Sequence, residues 1–232
     1  MAKPTKKSTK KEKTWRRYAG KTLKLGGKVA IKQLKAALGL NTEEKYVDTI
    51  TNFYSFPNTI VATSALSNIA TPVPQGLTAK QRSGDTFRMT SLSFRGALYN
   101  GPANVVTSTT ARIIIVNWKH TPVSATNVAD ILEVTNDVNS PRTDQPANPH
   151  TILYDKTFAL GATADYTNPN VRKWSWSYSP LDHHVGYTVN DTTGAVGNVI
   201  QGYIQIYLIA SSFTAGNAPY LGVYQRMKFV DN

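Results

Sequence analysis

Cysteine is absent from all 232 residues. That absence excludes disulfide frameworks, zinc ribbons, iron–sulfur clusters and thiol nucleophiles, and nothing points to an oxidising compartment. Long apolar runs are missing too: the longest reach about five residues, against the roughly twenty that a membrane helix needs. The chain is charged from Lys3 onward without the apolar stretch of a signal peptide, so neither secretion nor membrane spanning is expected. Acid is scarce in one place only. The first forty residues hold a single carboxylate, Glu12, among thirteen cations: Lys3, Lys6, Lys7, Lys10, Lys11, Lys13, Arg16, Arg17, Lys21, Lys24, Lys28, Lys32 and Lys35. This segment carries +12, the formal charge of the whole chain. Of the 26 basic and 14 acidic residues overall, 13 of each remain for positions 41–232, which therefore balance.

The remaining 192 residues are enough to bury roughly 70% of their unfolded surface in one core. Residues 1–27 mix lysine with Thr, Ser and Gly and have too little apolar surface to offset the entropy of ordering, which predicts disorder. In residues 28–38, KVAIKQLKAAL, Ile31, Leu34 and Leu38 share a stripe beside Lys28, Lys32 and Lys35, with Gly39 and Asn41 as stop signals. The expectation is one short helix with a cationic edge. A Lys-rich helix is often only a solvated face, but the missing acids favour contact with nucleic acid. Domain limits follow at 1–40 for a basic nucleic-acid-binding arm and 41–232 for a folded body.

The body reads as all-β. Tyr46 to Phe56 suits a first strand. From Thr86 to Leu98 the apolar parity switches between Met89 and Leu92, implying a bulge or burial on both sides. ARIIIVNW at 111–118 is too continuously apolar for a one-sided strand and is placed centrally. TNVADILEV at 126–134 suggests a helical excursion capped by Asn127, with Val128, Ile131 and Leu132 inward. Residues 136–150, rich in Pro, Asn and Asp, suggest a long surface loop. Ile152, Tyr154, Phe158 and Leu160 share one parity. Trp174, Trp176 and Tyr178 alternate with Lys173, Ser175, Ser177 and Ser179, as Ile204, Ile206 and Leu208 do with Tyr203, Gln205 and Tyr207. Along the last strand Leu221, Val223, Met227 and Phe229 alternate with Tyr224, Arg226 and Lys228. Seven or eight such strands predict an antiparallel two-sheet sandwich.

Chemical motifs are few. Gly20-Lys21-Thr22 ends like a phosphate-binding loop, but Trp15 stands where the first glycine is required and no strand precedes it. Asp182-His183-His184 suggests metal or acid/base chemistry, yet adjacent histidines in a strand face opposite ways. Asp130, Glu133, Asp137 and Asp144 lack the calcium-loop spacing, leaving only a shared ion at a subunit junction. Asn190-Asp191-Thr192 is formally a glycosylation acceptor. The Trp174, Trp176 and Tyr178 row is either core or a surface platform for bases or sugars, and core is the commoner use. No site residue is assigned to catalysis, a cofactor or a metal, and no enzyme activity is expected.

Several segments carry a resemblance. They are the Gln75-Gly76 pair, the Gln81-Arg82-Ser83-Gly84-Asp85 turn, and a strand ending in Phe94-Arg95-Gly96. EEKYVDT at 43–49, TILYDKTFAL at 151–160 and YQRMKFVDN at 224–232 join them. Together they resemble capsid proteins of circular, replication-initiator-encoding single-stranded DNA viruses (circovirus-like), and are also similar to satellite plant virus coat proteins. In that likeness, residues 74–96 lead into and through the first jelly-roll strand. The resemblance implies a single eight-stranded jelly roll and a T=1 icosahedral virion of about sixty copies. It implies arms turned inward on a single-stranded genome, DNA favoured over RNA. It names no host receptor. Twelve net charges engaging a single strand give a slope of log K on log salt of about −8 as an upper limit. Trp15 and Tyr18 beside Arg16 and Arg17 are suited either to stacking on bases or to docking the arm. KSTKKEK with Arg16-Arg17 also fits a nuclear import signal, in keeping with assembly in the host nucleus. Two other classes fit the charge split: a non-viral β-sandwich nucleic-acid-binding protein with a basic tail, and a β-fold hydrolase or lectin with an added localisation signal.

Overall fold

A computed structural model describes residues 43–57, 61–62, 73–101, 108–119, 128–143, 150–162, 170–180, 182–211 and 218–231. The predicted disorder, the arm helix at 28–38 and all thirteen arm cations lie outside these residues. The regular structure of the described residues is strand apart from two short 3-10 turns: β1 (Lys45–Ser55), β2 (Val61–Ala62), β3 (Thr86–Tyr99), β4 (Thr109–Trp118), β5 (His150–Leu160), β6 (Val171–Tyr178), β7 (His183–Tyr187), β8 (Val199–Gln201), β9 (Tyr203–Ala210) and β10 (Tyr220–Asp231).

All pairings between these strands are antiparallel and form two sheets. One runs β1-β10-β3-β7-β8, with β6 also on β3; the other runs β2-β9-β4-β5. On one edge of β3, β6 covers Leu92–Tyr99 and β7 covers Thr86–Met89, so the two act as a single interrupted strand. The pairs β1 with β10, β2 with β9, β3 with β6 and β4 with β5 then describe one long hairpin. Pairing of β10 with β3 and of β9 with β4 rolls that hairpin over itself. This is jelly-roll winding, as expected for the body. Thr86–Tyr99, however, is not the opening strand that the resemblance suggested. It follows β1 and β2 and lies inside its sheet, because residues on both its edges find partners.

The parity switch in β3 is a bulge. Met89 pairs with Phe229 and Ser91 with Lys228, leaving Thr90 as the extra residue. That residue returns Leu92, Phe94 and Leu98 to the face already occupied by Phe87 and Met89, and all five are buried. A second bulge sits in β5, where Tyr154 pairs with Ile115 and Ile152 with Val116. Leu153 is the extra residue, so Ile152 and Tyr154 face opposite sides despite their common parity.

β4 is central, flanked by β5 and β9, and Ala111 to Val116 are all buried. Every residue of β9 is buried as well, so its tyrosine parity is not a solvent face. Residues 128–143 help to cover the outer side of β4, with Ile131, Leu132 and Val138 joining the core. In its described part the predicted helical excursion is a 3-10 turn at Val128–Asp130, with its cap Asn127 outside the described residues, and Ile131 and Leu132 are buried as anticipated. The surface loop expected over 136–150 is likewise partly interior, since Val138 and Ser140 are buried.

The aromatic row belongs to the core. Trp174 stacks on Phe94 at 5.6 Å between ring centroids, and Trp176 does so at 5.7 Å. Tyr154, from the opposite sheet, meets both indoles and accepts a 2.9 Å hydrogen bond from Trp174 Nε1. Rings from both sheets thus fill the space between them, which a surface platform would leave to ligand.

Candidate functional site

The Gln81–Asp85 turn lies in residues 73–85, where Pro74, Gly76 and Gly84 disfavour a strand. The loop hooks back on itself through Arg82 N to Pro74 O at 3.0 Å and Gly76 N to Arg82 O at 2.9 Å. This hook drives Arg82 inward until its side chain is fully buried. Its Nε donates to Val73 O at 2.9 Å, Nη1 to Gly84 O, and Nη2 to Asp191 O and to Asp191 Oδ2 at 2.9 Å. The guanidinium also lies 4.0 Å over the Tyr187 ring. Burial pushes the Tyr187 hydroxyl up to about 12. For Asp191, burial alone would raise the carboxyl, but hydrogen bonds from Thr193, Asn198 and Gly194 overcome it and hold the group at about 2. Gly194 adopts a φ of +66°, and a Cβ there would meet the Val73 carbonyl carbon at 2.6 Å, so no other residue fits. Beside this clasp, Lys45 Nζ donates to Asp231 Oδ2 at 2.6 Å and to Gln81 O at 2.9 Å, while Ser83 N donates to Asp231 Oδ1 at 3.1 Å. First strand, turn and last strand are tied together. With every nitrogen of Arg82 engaged, the turn braces the fold and cannot read a phosphate.

The histidine pair separates as the strand geometry requires. His183 is buried, its Nε2 2.9 Å from Gly202 O, and its ring meets Tyr178 edge-on. His184 is exposed and sits 2.7 Å from Asp182. Burial pushes His183 below the usual imidazole range, with the Gly202 carbonyl opposing and His184 adding to the fall. Both residues line a cleft with Asn117, Trp118, Lys119, Asp182, Gln201 and Gly202, His183 Nε2 meeting Gly202 O and His184 Nε2 meeting Asp182. Among the described residues, no three or more His, Cys, Asp or Glu are grouped to hold a metal. Asp130, Glu133 and Asp137 all lie on 128–143, and Asp144 is outside the described residues.

A feature that sequence reasoning did not assemble lies on the outer face of the β1-β10-β3-β6 sheet. Because Phe87, Met89, Leu92, Phe94 and Leu98 point to the core, Arg88, Ser91, Ser93 and Arg95 point away from it. Arg95 pairs with Tyr224 on one side and Ser175 on the other, and Ala97 pairs with Lys173. Arg226, two residues from Tyr224, makes a two-pronged contact with Asp48 at 2.7 and 2.8 Å, and lies 5.2 Å from the Tyr46 ring. Lys228 reaches Glu44 at 2.8 Å. Among the described residues no carboxylate comes within 4.0 Å of Arg88, Arg95 or Lys173. The alternation of 173, 175 and 177 with the aromatic row, and of 224, 226 and 228 with the apolar residues of β10, was the available signal. Joining the two required the strand order.

No family model matches the chain, and no curated protein matches it significantly. Among solved structures it is similar to a chain of desmodium yellow mottle tymovirus, at 7% identity and a TM-score of 0.38, over 82% of this chain and 87% of that one. It is also similar to the Penaeus stylirostris densovirus capsid, at 7% identity and a TM-score of 0.25, over 82% and 83%. At these scores the likeness carries no argument, and the winding described above rests on strand pairing alone.

Proposed function

We propose that this chain is a viral capsid protein whose body tiles with copies of itself into a small icosahedral shell, while residues 1–40 neutralise a single-stranded genome inside. The observation that carries the reading is the charge division: +12 in the first forty residues and none, net, in the rest. A neutral body packs against its own kind without accumulating repulsion, and a polycation meets phosphates through charge without fixed geometry. A jelly-roll body suits this role, since its two sheets fill one another and leave edges and loops for neighbours. The favoured cargo is DNA, supported by the likeness of the lead-in and closing segments to that group of capsids. The protein resides in the virion, with the Lys-rich start directing assembly to the host nucleus.

Size tests the reading directly. On the order of sixty copies of a 25.5 kDa chain make a closed particle of about 1.5 MDa. Light scattering after gel filtration and electron microscopy are expected to find such particles, with nuclease-sensitive nucleic acid inside. Monomers or dimers at every concentration would overturn it.

A further inference from the structure

We infer that the open outer face of the β1-β10-β3-β6 sheet is a second contact for single-stranded nucleic acid, separate from the first forty residues. The inference rests on the proposed packaging role but not on the arm. Five cations point out of this face: Arg88 and Arg95 on β3, Lys173 on β6, Arg226 and Lys228 on β10. Asp48 and Glu44 pair with Arg226 and Lys228, and Asp182, bonded to His184 beside Arg88, is a third acid at this edge. Five cations against three acids leave a positive surplus in a body that is neutral as a whole, so charge is sorted within the body as well as between body and arm.

Arrangement adds to number. Arg95 is flanked by Tyr224 and Ser175, with Arg226 and Lys173 as its diagonal neighbours roughly 7 Å away on the same face. The cations therefore form a band crossing β10, β3 and β6. Serines 91, 93, 175 and 177 fill the positions between, and such small side chains let a backbone approach closely. Tyrosines border the band: Tyr46 is 42% exposed at its β1 end, and Tyr224 stands between Arg226 and Arg95. Cations that track a phosphate backbone, set beside aromatic rings on which unpaired bases stack, are the two parts of a single-strand binding surface. Charge also disfavours the simplest rival, since the same face of a second copy is repelled.

The test uses the full chain with Arg88→Gln, Arg95→Gln and Lys173→Gln combined, and a thymidine oligonucleotide as the probe. Each lost phosphate contact lowers the slope of log K on log salt by about 0.7, so the triple variant is expected to lose about 2 units of slope. A slope equal to that of the unsubstituted protein, with unchanged circular dichroism, overturns the inference. Glutamine at Lys3, Lys6, Lys7, Lys10, Lys11 and Lys13 examines the arm separately. If that variant keeps its slope while the sheet-face variant loses its own, the arm reading fails and this one stands. Should the triple variant not fold, ultraviolet cross-linking of unsubstituted particles decides. Adducts on peptides containing Tyr46 or Tyr224 support the inference, and adducts confined to residues 1–40 overturn it.

Discussion

The outer faces of the two sheets end in opposite states. On the β2-β9-β4-β5 sheet, Arg112 points outward from β4 and is buried. It makes a two-pronged bond to Asp155 at 2.8 and 2.8 Å and donates to Val138 O and Ser140 O at 3.1 and 2.6 Å. Residues 128–143 come down over it, and Arg142 adds a second bond to Asp155. On the other sheet, Arg95 points outward from β3 into solvent and meets no carboxylate among the described residues. The same residue type serves as an internal brace in one place and as a free charge in the other. A loop covers the one strand and not the other, and the unbroken apolar run of β4, against the polar alternation of β3, is the counterpart of that difference in the sequence.

The largest way to break this contrast is Arg112→Ala. It leaves Asp155 buried with one of its two cations gone and removes the donors that hold 128–143, so a loss of about 3–5 kcal/mol is expected in urea unfolding. A loss below 1 kcal/mol would mean that the covered face is as tolerant as the open one.

Acid sharpens the contrast next. Burial pushes His150, at the covered end of β5, below its ordinary range, with Asp130 opposing; His183 behaves alike. The unfolded chain therefore takes up protons first, and stability is expected to fall as pH drops below about 6.5. For Asp155, burial alone would raise the carboxyl, but Arg112 and Arg142 hold it below its usual range. Its contribution is present above about pH 4 and is lost as pH falls toward the depressed folded value. Melting temperatures between pH 7 and pH 3 check both steps, and a flat profile would contradict them.

The smallest effect belongs to the open face. Arg95→Ala is expected to change stability by less than about 0.5 kcal/mol, while lowering the salt slope of single-strand binding by about 0.7. Equal destabilisation by Arg95→Ala and Arg112→Ala, read from denaturant midpoints, would erase the distinction between the faces.

Much of the fold was legible because sandwich strands advertise themselves by period two. The Trp174, Trp176 and Tyr178 row, the uninterrupted Ile113–Val116 run and the parity change near Thr90 all correspond to what the strands do. Other features were not legible, for reasons that lie in long-range contact. Ile152 looks equivalent to Tyr154 until the Leu153 bulge turns it over. Val138 and Ser140 look like loop surface until they close over Arg112. Arg82 sits in a turn whose composition suggests exposure, and its acceptor Asp191 is 109 positions away. The open basic face was harder still, since its members come from three strands and none is unusual in its own segment.

By itself the sequence determined the charge division, the all-β character and the apolar parity of strands such as β6 and β10. These follow from residue type and local spacing, which need no knowledge of neighbours. Only the tertiary structure decided that the chain winds as one rolled hairpin, that Arg82 and Arg112 are internal braces, and that Arg88, Arg95 and Lys173 share an open face. The reason is that strand order and loop placement are set by partners tens of residues distant. A side chain's environment, and with it the cost or use of its charge, exists only once those partners meet.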